Sequence, residues 1–190
     1  GEVTWGHILN KQVTTHLKAA TAYRAPSAND LAYGTSQNLI LRPEANRAFE
    51  AGLRFNSTDA SGPNWTLVAF ENNLTDLIDY DPNDFYKTFN IAKARTRGVE
   101  LGVEARPTKG IRLFGAATSL QTKALTNYLG VVAAGESLLR RPTFTLSAGA
   151  EITPTERWSF GAGVTLLHGR VDYDWNNFQR VDLPNSLVWR

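Results

Sequence analysis

The chain has 190 residues, 42% hydrophobic and 20% charged, with a formal net charge of +2 and no cysteine. No run approaches the roughly 18 consecutive apolar residues of a membrane helix, which excludes a helical membrane protein. The scattered Lys and Arg form no like-charge run and argue against a nucleic-acid tail, and the missing cysteines remove a disulfide frame, a thiolate metal site and a cysteine nucleophile. Nothing in the composition marks a break, so residues 1–190 read as one all-β unit. Gly1-Glu2-Val3-Thr4-Trp5 has neither a charged n-region nor an apolar h-region, as expected of mature sequence or the start of a fragment.

Residues 2–8 read as the end of a strand, closed by a turn at Asn10-Lys11. From 12 to 24 the side chains alternate: Val13, Thr15, Leu17, Ala19, Thr21 and Tyr23 share one face, Gln12, Thr14, His16, Lys18 and Arg24 the other. A long polar loop runs from Arg24-Ala25-Pro26-Ser27 to Pro43-Glu44. The returning strand, 45–56, sets Phe49, Ala51, Leu53 and Phe55 against Asn46, Glu50, Arg54 and Asn56. Small residues at 57–63 make a turn. In the next run, 65–80, Trp65, Leu67 and Ala69 lie on one face but Val68 and Phe70 on the other, so its faces stay unassigned.

A second polar loop is expected at 79–84, where Pro82 breaks a ladder. Over 85–106 the alternation is clearest in the second half, with Arg97, Val99, Leu101, Val103 and Ala105 opposing Gly98, Glu100, Gly102, Glu104 and Arg106. Two carboxylates on one strand face make that face wet. Pro107-Thr108-Lys109-Gly110 turns the chain into a strand over 111–123. A third loop, 124–138, precedes a strand with Phe144, Leu146, Ala148, Ala150 and Ile152 on one side. The turn Thr153-Pro154-Thr155-Glu156-Arg157 leads to a strand with Trp158, Phe160, Ala162, Val164 and Leu166 on one side. A fourth polar loop, 172–183, precedes a last strand ending at Trp189-Arg190.

Short turns therefore alternate with long polar loops, as in outer-membrane barrels with tight periplasmic turns and large external loops. Tyr23, Trp65, Trp158 and Trp189 sit near strand ends, where interfacial aromatic girdles belong. The pattern predicts an antiparallel up-and-down transmembrane β-barrel segment of about eight strands, its apolar stripes on lipid and its polar stripes on water inside. A soluble β-sandwich alternates for the same geometric reason and is the alternative.

Specific residues extend the reading. Tyr23-Arg24-Ala25-Pro26-Ser27 with Leu31 and Tyr33, then Asn38, Leu39, Leu41, Pro43-Glu44, Glu50 and Gly52-Leu53, resemble a segment in the second half of TonB-dependent outer-membrane receptor barrels. Phe70, Asn72-Asn73, Leu77-Ile78, Asn90-Ile91-Ala92 and Arg97-Gly98-Val99-Glu100-Leu101 are similar to the next family blocks. Arg140-Arg141-Pro142, Gly161-Ala162-Gly163-Val164 and Arg180-Val181-Asp182-Leu183-Pro184 most resemble the cobalamin (vitamin B12) branch. Siderophore and haem receptors share the earlier pattern. Such receptors have about 22 strands around an N-terminal plug. The resemblance thus implies a piece of a larger barrel in the bacterial outer membrane, lacking its plug, its remaining strands and the N-terminal segment that engages TonB. It implies partners in membrane lipid, plug, TonB, and cobalamin or a siderophore, with no nucleic acid.

Arg24, Pro26, Pro43, Glu44, Glu50, Gly98 and Glu100 then read as motif residues that mainly shape the barrel, with Arg24 and Glu44 a candidate pair at the rim. Tyr33, Asn38, Asp79, Tyr80, Asp81, Tyr128, Tyr173, Asp174 and Trp175 are the candidate ligand contacts. Lys18, Glu50, Arg54, Glu100, Glu104, Arg106 and Glu151 are expected to line the lumen. No resident cofactor is expected beyond calcium in external loops, which the cobalamin likeness implies. Its candidates are Asp79, Asp81 and Asn83, whose spacing is repeated by Asp172, Asp174 and Asn176. Asp84 and Asn90 at the sixth and twelfth positions exclude an EF-hand. His7, His16 and His168 lack zinc-ligand spacing. Two other classes remain: a small closed eight-stranded structural or adhesion barrel, with its first strands paired to its last, and an enzyme using His168 with Asp172 or Asp174.

Overall fold

A computed structural model describes residues 1–32, 41–81, 84–127 and 131–190. The strands are β1 (Glu2–Ile8), β2 (Val13–Arg24), β3 (Glu44–Phe55), β4 (Asn64–Asp81), β5 (Asp84–Thr108), β6 (Ile111–Ala124), β7 (Phe144–Thr155), β8 (Trp158–His168), β9 (Arg170–Asp174), β10 (Gln179–Leu183) and β11 (Ser186–Trp189). One short helix, α1 (Ala28–Ala32), lies in the first long loop. Nine strands form one antiparallel sheet in the order β1-β2-β3-β4-β5-β6-β7-β8-β11, and β9 pairs with β10 as a separate hairpin.

The register sorts the sheet into two faces. Leu53, Leu67, Leu101, Ala117, Leu146, Leu166 and Leu187 stand opposite one another in a row across β3 to β8 and β11. Phe55, Trp65, Val103, Gly115, Ala148, Val164 and Trp189 form the next row. On this face Leu17, Phe49, Phe160 and Trp189 are 52%, 54%, 59% and 74% exposed. A continuous apolar surface of this kind is stable against lipid and not against water.

The opposite face is polar and internally bonded. Lys18 pairs with Glu2 at 3.0 Å and His16 with Glu50 at 2.7 Å. Asn46 Nδ2 donates to Asn72 Oδ1, and Asn72 Nδ2 donates to Thr96 Oγ1, so amides lace three strands. Glu104 accepts from Arg106 at 3.0 Å and from Arg112 at 2.9 Å, and Arg112 reaches Glu151 at 3.5 Å. Arg54 and Glu100 share this face by register.

The unassigned faces of residues 65–80 are resolved by one contact. Phe70 lies on the polar face directly opposite Gly98. A Cβ built on Gly98 would sit 2.9 Å from the Phe70 ring and closer still to the Ser119 carbonyl. The ring thus occupies the space a side chain on β5 would need. His16 lies over Gly52, and Phe114 over Gly149, in the same way.

Other expectations are corrected. Asp79, Tyr80 and Asp81 belong to β4 rather than to a polar loop, and β5 begins at Asp84, with Pro82 and Asn83 outside the described residues. The ladder is irregular between Leu74 and Ile78, where Asp76 has φ 57°. Residues 172–183 are not a plain loop either, since β9 and β10 pair from Arg170 and Leu183 to Asp174 and Gln179. Among the described residues β1 pairs only with β2 and β11 only with β8, so the first and last strands do not close a small eight-stranded barrel.

Buried side chains concentrate at the long-loop end. Leu41, Thr88, Ala92, Ala94, Ala124 and Val132 are all buried. Backbone bonds from Ala124 N–H to Glu136 O and from Gly135 N–H to Ala124 O fold residues 131–136 back onto the strand ends. The interior therefore lies where loops meet strands, beside the candidate site.

Candidate functional site

The long loops pack as two ion-paired groups. In the first, Arg24 forms a two-pronged pair with Glu44, Nε to Oε2 and Nη2 to Oε1, both at 2.6 Å. The Arg24 Nη1 also donates to Asp30 at 3.3 Å, and Glu44 Oε1 accepts the Ile78 N–H at 2.9 Å. Ser27 N–H donates to Asp30 Oδ2 and Asp30 N–H donates to Ser27 Oγ, a reciprocal cap that starts α1. Thr88 Oγ1 donates to the Asp30 carbonyl, tying the helix to β5. Asn90 joins the exit of the loop to the bend in β4: its amide donates to Arg42 O and Asp76 O, and its Oδ1 accepts the Arg42 N–H. Pro26 and Pro43 fix backbone at the two ends of this frame.

In the second group, Arg140 Nε donates to both oxygens of Asp172 at 2.9 Å, and its N–H donates to Val171 O. Arg180 on β10 reaches back to Glu136 at 3.1 Å and to the Ser137 carbonyl at 3.0 Å. The β9–β10 hairpin is thereby clamped to residues 136–140 from both strands. Tyr173 meets Trp175 edge to face, with centroids 4.9 Å apart, and Trp175 and Phe178 stay 49% and 74% exposed.

Asp172 and Asp174 in this hairpin are held toward the ionised form by local donors. Asp172 is lowered from its ordinary 3.8 by the Tyr173 N–H first and the Arg140 guanidinium second. Asp174 is lowered by the Asn177 side chain and then the Asn176 N–H. A depressed carboxylate contributes stability in full above its unfolded value, and that contribution is lost as pH falls through the folded one. Acidification from pH 7 to below 3.8 is therefore expected to release the β9–β10 hairpin before the sheet opens. Hydrogen exchange of residues 136–140 and 170–183 checks this. The same comparison on Arg140→Gln is expected to show a hairpin already loosened at pH 7, with a smaller pH response.

Among the sequence candidates, Tyr173, Asp174 and Trp175 come together on the hairpin. Asp79, Tyr80 and Asp81 sit at the loop end of β4, backbone-paired to Phe89, Thr88 and Asp84. Tyr33, Asn38, Asn83 and Tyr128 lie outside the described residues. Among the described residues no three His, Cys, Asp or Glu side chains converge as a metal cluster. The acids at 172 and 174 are occupied by protein donors. His168 shares the apolar face with Phe144, with no hydrogen bond from its ring to a described carboxylate. Glu50 and Glu100 line a shallow cavity of about 240 Å³ with Lys18 and Asn72 on the polar face.

Sequence reasoning missed Asp30, Asp76 and Asn90 as loop organisers. The Ser27-x-x-Asp30 spacing announced the first. Asp76 carried no local signal and Asn90 only its place in a family-like block, because their roles arise from contacts across the bulged pairing of β4 with β5.

Three solved structures show the same fold. The chain matches the ferric-catecholate import receptor Fiu from K12 E. coli with TM-score 0.75 and 15% identity, covering 99% of this chain and 27% of that one. It matches the pyoverdine outer membrane receptor FpvA from Pseudomonas aeruginosa PAO1 with TM-score 0.73 and 16% identity, covering 99% and 28%. For the ferric yersiniabactin uptake receptor FyuA from Yersinia pestis the values are 0.69 and 16%, covering 99% and 28%. The chain thus spans under a third of the length of each of these proteins. The family model described as TonB dependent receptor-like, beta-barrel, matches residues 3–189. With its apolar outer face, polar inner face and loops gathered at one end, the chain belongs to the TonB-dependent receptor β-barrel family of bacterial outer-membrane proteins.

Proposed function

We propose that the intact protein captures a large, scarce ligand at its loop end and admits it through the barrel by a TonB-driven rearrangement of a plug. The ligand class is a ferric siderophore, with cobalamin second. One observation carries the reading: the β9–β10 hairpin is clamped by Arg140 and Arg180 while Trp175 and Phe178 remain open to solvent. Rigid, exposed aromatics on a braced loop make a low-entropy contact surface for a bulky, partly aromatic chelate. The likeness to the cobalamin branch rests on residues 140–184. The structural neighbours are named for catecholate, pyoverdine and yersiniabactin uptake, which moves the siderophore ahead.

Titration of the intact receptor with a ferric catecholate, a ferric hydroxamate and cyanocobalamin tests the choice. Tight binding of a ferric chelate, weakened on the order of tenfold or more by Trp175→Ala, is the expected result. Binding of cyanocobalamin alone would reverse the order of ligands.

A further inference from the structure

The two guanidiniums that hold the β9–β10 hairpin are not equivalent. Arg180 is 22% exposed at its side chain, and both its Nη atoms are committed, one to Glu136 and the other to Ser137. Arg140 is 71% exposed and meets Asp172 through Nε alone, 2.9 Å from each carboxylate oxygen. Among the described residues its Nη1 and Nη2 have no partner. A guanidinium is a planar fork of N–H donors matched to two-oxygen anions, so Arg140 keeps a full two-donor edge in solvent.

The backbone at Arg140 is also unusual. Its φ is 59°, in the left-handed region, and its N–H is pinned to the Val171 carbonyl at 2.7 Å. A residue other than glycine holds that conformation at a cost and only where its surroundings enforce it. Arg141 follows, exposed and, among the described residues, with no carboxylate partner. Asp174, the other acid on the face of β9 that carries Asp172, is engaged by the Asn176 N–H and the Asn177 amide. Loss of the Arg140–Asp172 pair loosens the hairpin without detaching it. Arg180 still holds β10, and at the base Arg170 Nη2 donates to the Pro184 carbonyl at 3.0 Å and to Ser186 Oγ at 2.5 Å.

We infer that Arg140 is an oxyanion subsite for the captured chelate, and that Asp172 is a built-in competitor standing in for the ligand's own carboxylate or catecholate oxygens. The inference rests on the ferric-chelate reading above and narrows it to anionic chelates. A ligand oxyanion meets the open Nη edge first and then displaces Asp172 from Nε. Exchange of an exposed ion pair for a ligand anion is cheap, because such pairs are weak in water.

The test is titration of the intact receptor in detergent with a trianionic ferric tris-catecholate, an anionic ferric hydroxycarboxylate and an uncharged ferric tris-hydroxamate. Wild type is compared with Arg140→Gln, Arg140→Lys and Asp172→Asn. Arg140→Gln is expected to weaken the anionic chelate that wild type binds on the order of tenfold or more, and to leave the uncharged one unmoved. Arg140→Lys is expected to recover part of that loss. Asp172→Asn, which breaks the same pair from the other side, is expected to strengthen the anionic chelate by about two- to fivefold. A clamp with no ligand role predicts instead that both halves of the pair weaken binding together. Weaker anionic binding in Asp172→Asn, or equal loss of charged and uncharged chelates in Arg140→Gln, would therefore overturn the subsite. Wild type that binds only the uncharged chelate would remove the subsite and keep the ferric-chelate reading, whereas wild type that binds no ferric chelate would remove both.

Discussion

Gly98→Val is expected to destabilise the barrel by about 1–3 kcal/mol, the usual cost of forcing extra carbon into a filled space. The Cβ would press on the Phe70 ring from one side and on the Ser119 carbonyl from the other. The ring can rotate away, whereas the carbonyl belongs to the β5–β6 ladder and moves only with the strand. Gly98→Val combined with Phe70→Leu should therefore recover part of the loss and not all of it. Gly6→Ala serves as the comparison, because a Cβ there meets only the Thr15 carbonyl at 3.8 Å. Urea unfolding of the intact receptor in detergent, followed by tryptophan fluorescence, reads all four proteins. A Gly98→Val variant as stable as wild type would falsify the close-approach account.

Arg24→Ala is expected to cost about 1–2 kcal/mol, spent mostly within the first loop. Glu44 is only 16% exposed at its side chain and would keep only the Ile78 N–H as a donor. Arg24 itself is 52% exposed, and solvent screening lowers what the pair is worth. The diagnostic measurement is a double-mutant cycle with Glu44→Gln. Coupling of at least about 0.5 kcal/mol, together with faster hydrogen exchange across residues 24–32, is the expected result. Strict additivity would show that the motif shapes the loop through its prolines rather than through this pair.

The strands of this chain were legible because lipid on one face and water on the other impose a two-residue period. Runs such as Val99, Leu101 and Val103 against Glu100 and Glu104 admit one orientation only. The reading failed where a long-range partner overrode the period. Phe70 breaks the alternation of β4 because a glycine on the next strand gives its ring room. The pairing of β4 with β5 runs on past an irregularity at Leu74 to Ile78 as far as Asp81 and Asp84, into residues whose turn-forming types read as loop. In β9, Val171 and Tyr173 alternate with Arg170, Asp172 and Asp174, a strand pattern hidden among turn-forming residues. The site was less legible still, since Arg140 finds Asp172 and Arg180 finds Glu136 across intervals no local spacing encodes. Loop function depends on which loops meet, and that is settled by the sheet's topology.

The three ring-over-glycine contacts fall on β2 with β3, β4 with β5, and β6 with β7. Each of these hairpins closes at the long-loop end, whereas among the described residues the short-turn hairpins β3 with β4, β5 with β6 and β7 with β8 carry no such contact. A tight turn dictates which residue faces which, but a long or bulged connection lets two strands slide. A slide of two residues would keep every side chain on its proper face and so escape correction by lipid. It would also drive each ring into a side chain instead of a gap. The glycines thus act as keyways, admitting one alignment in the hairpins whose loops are free to vary. The receiving loops can change in length and sequence without the wall beneath them losing its thread.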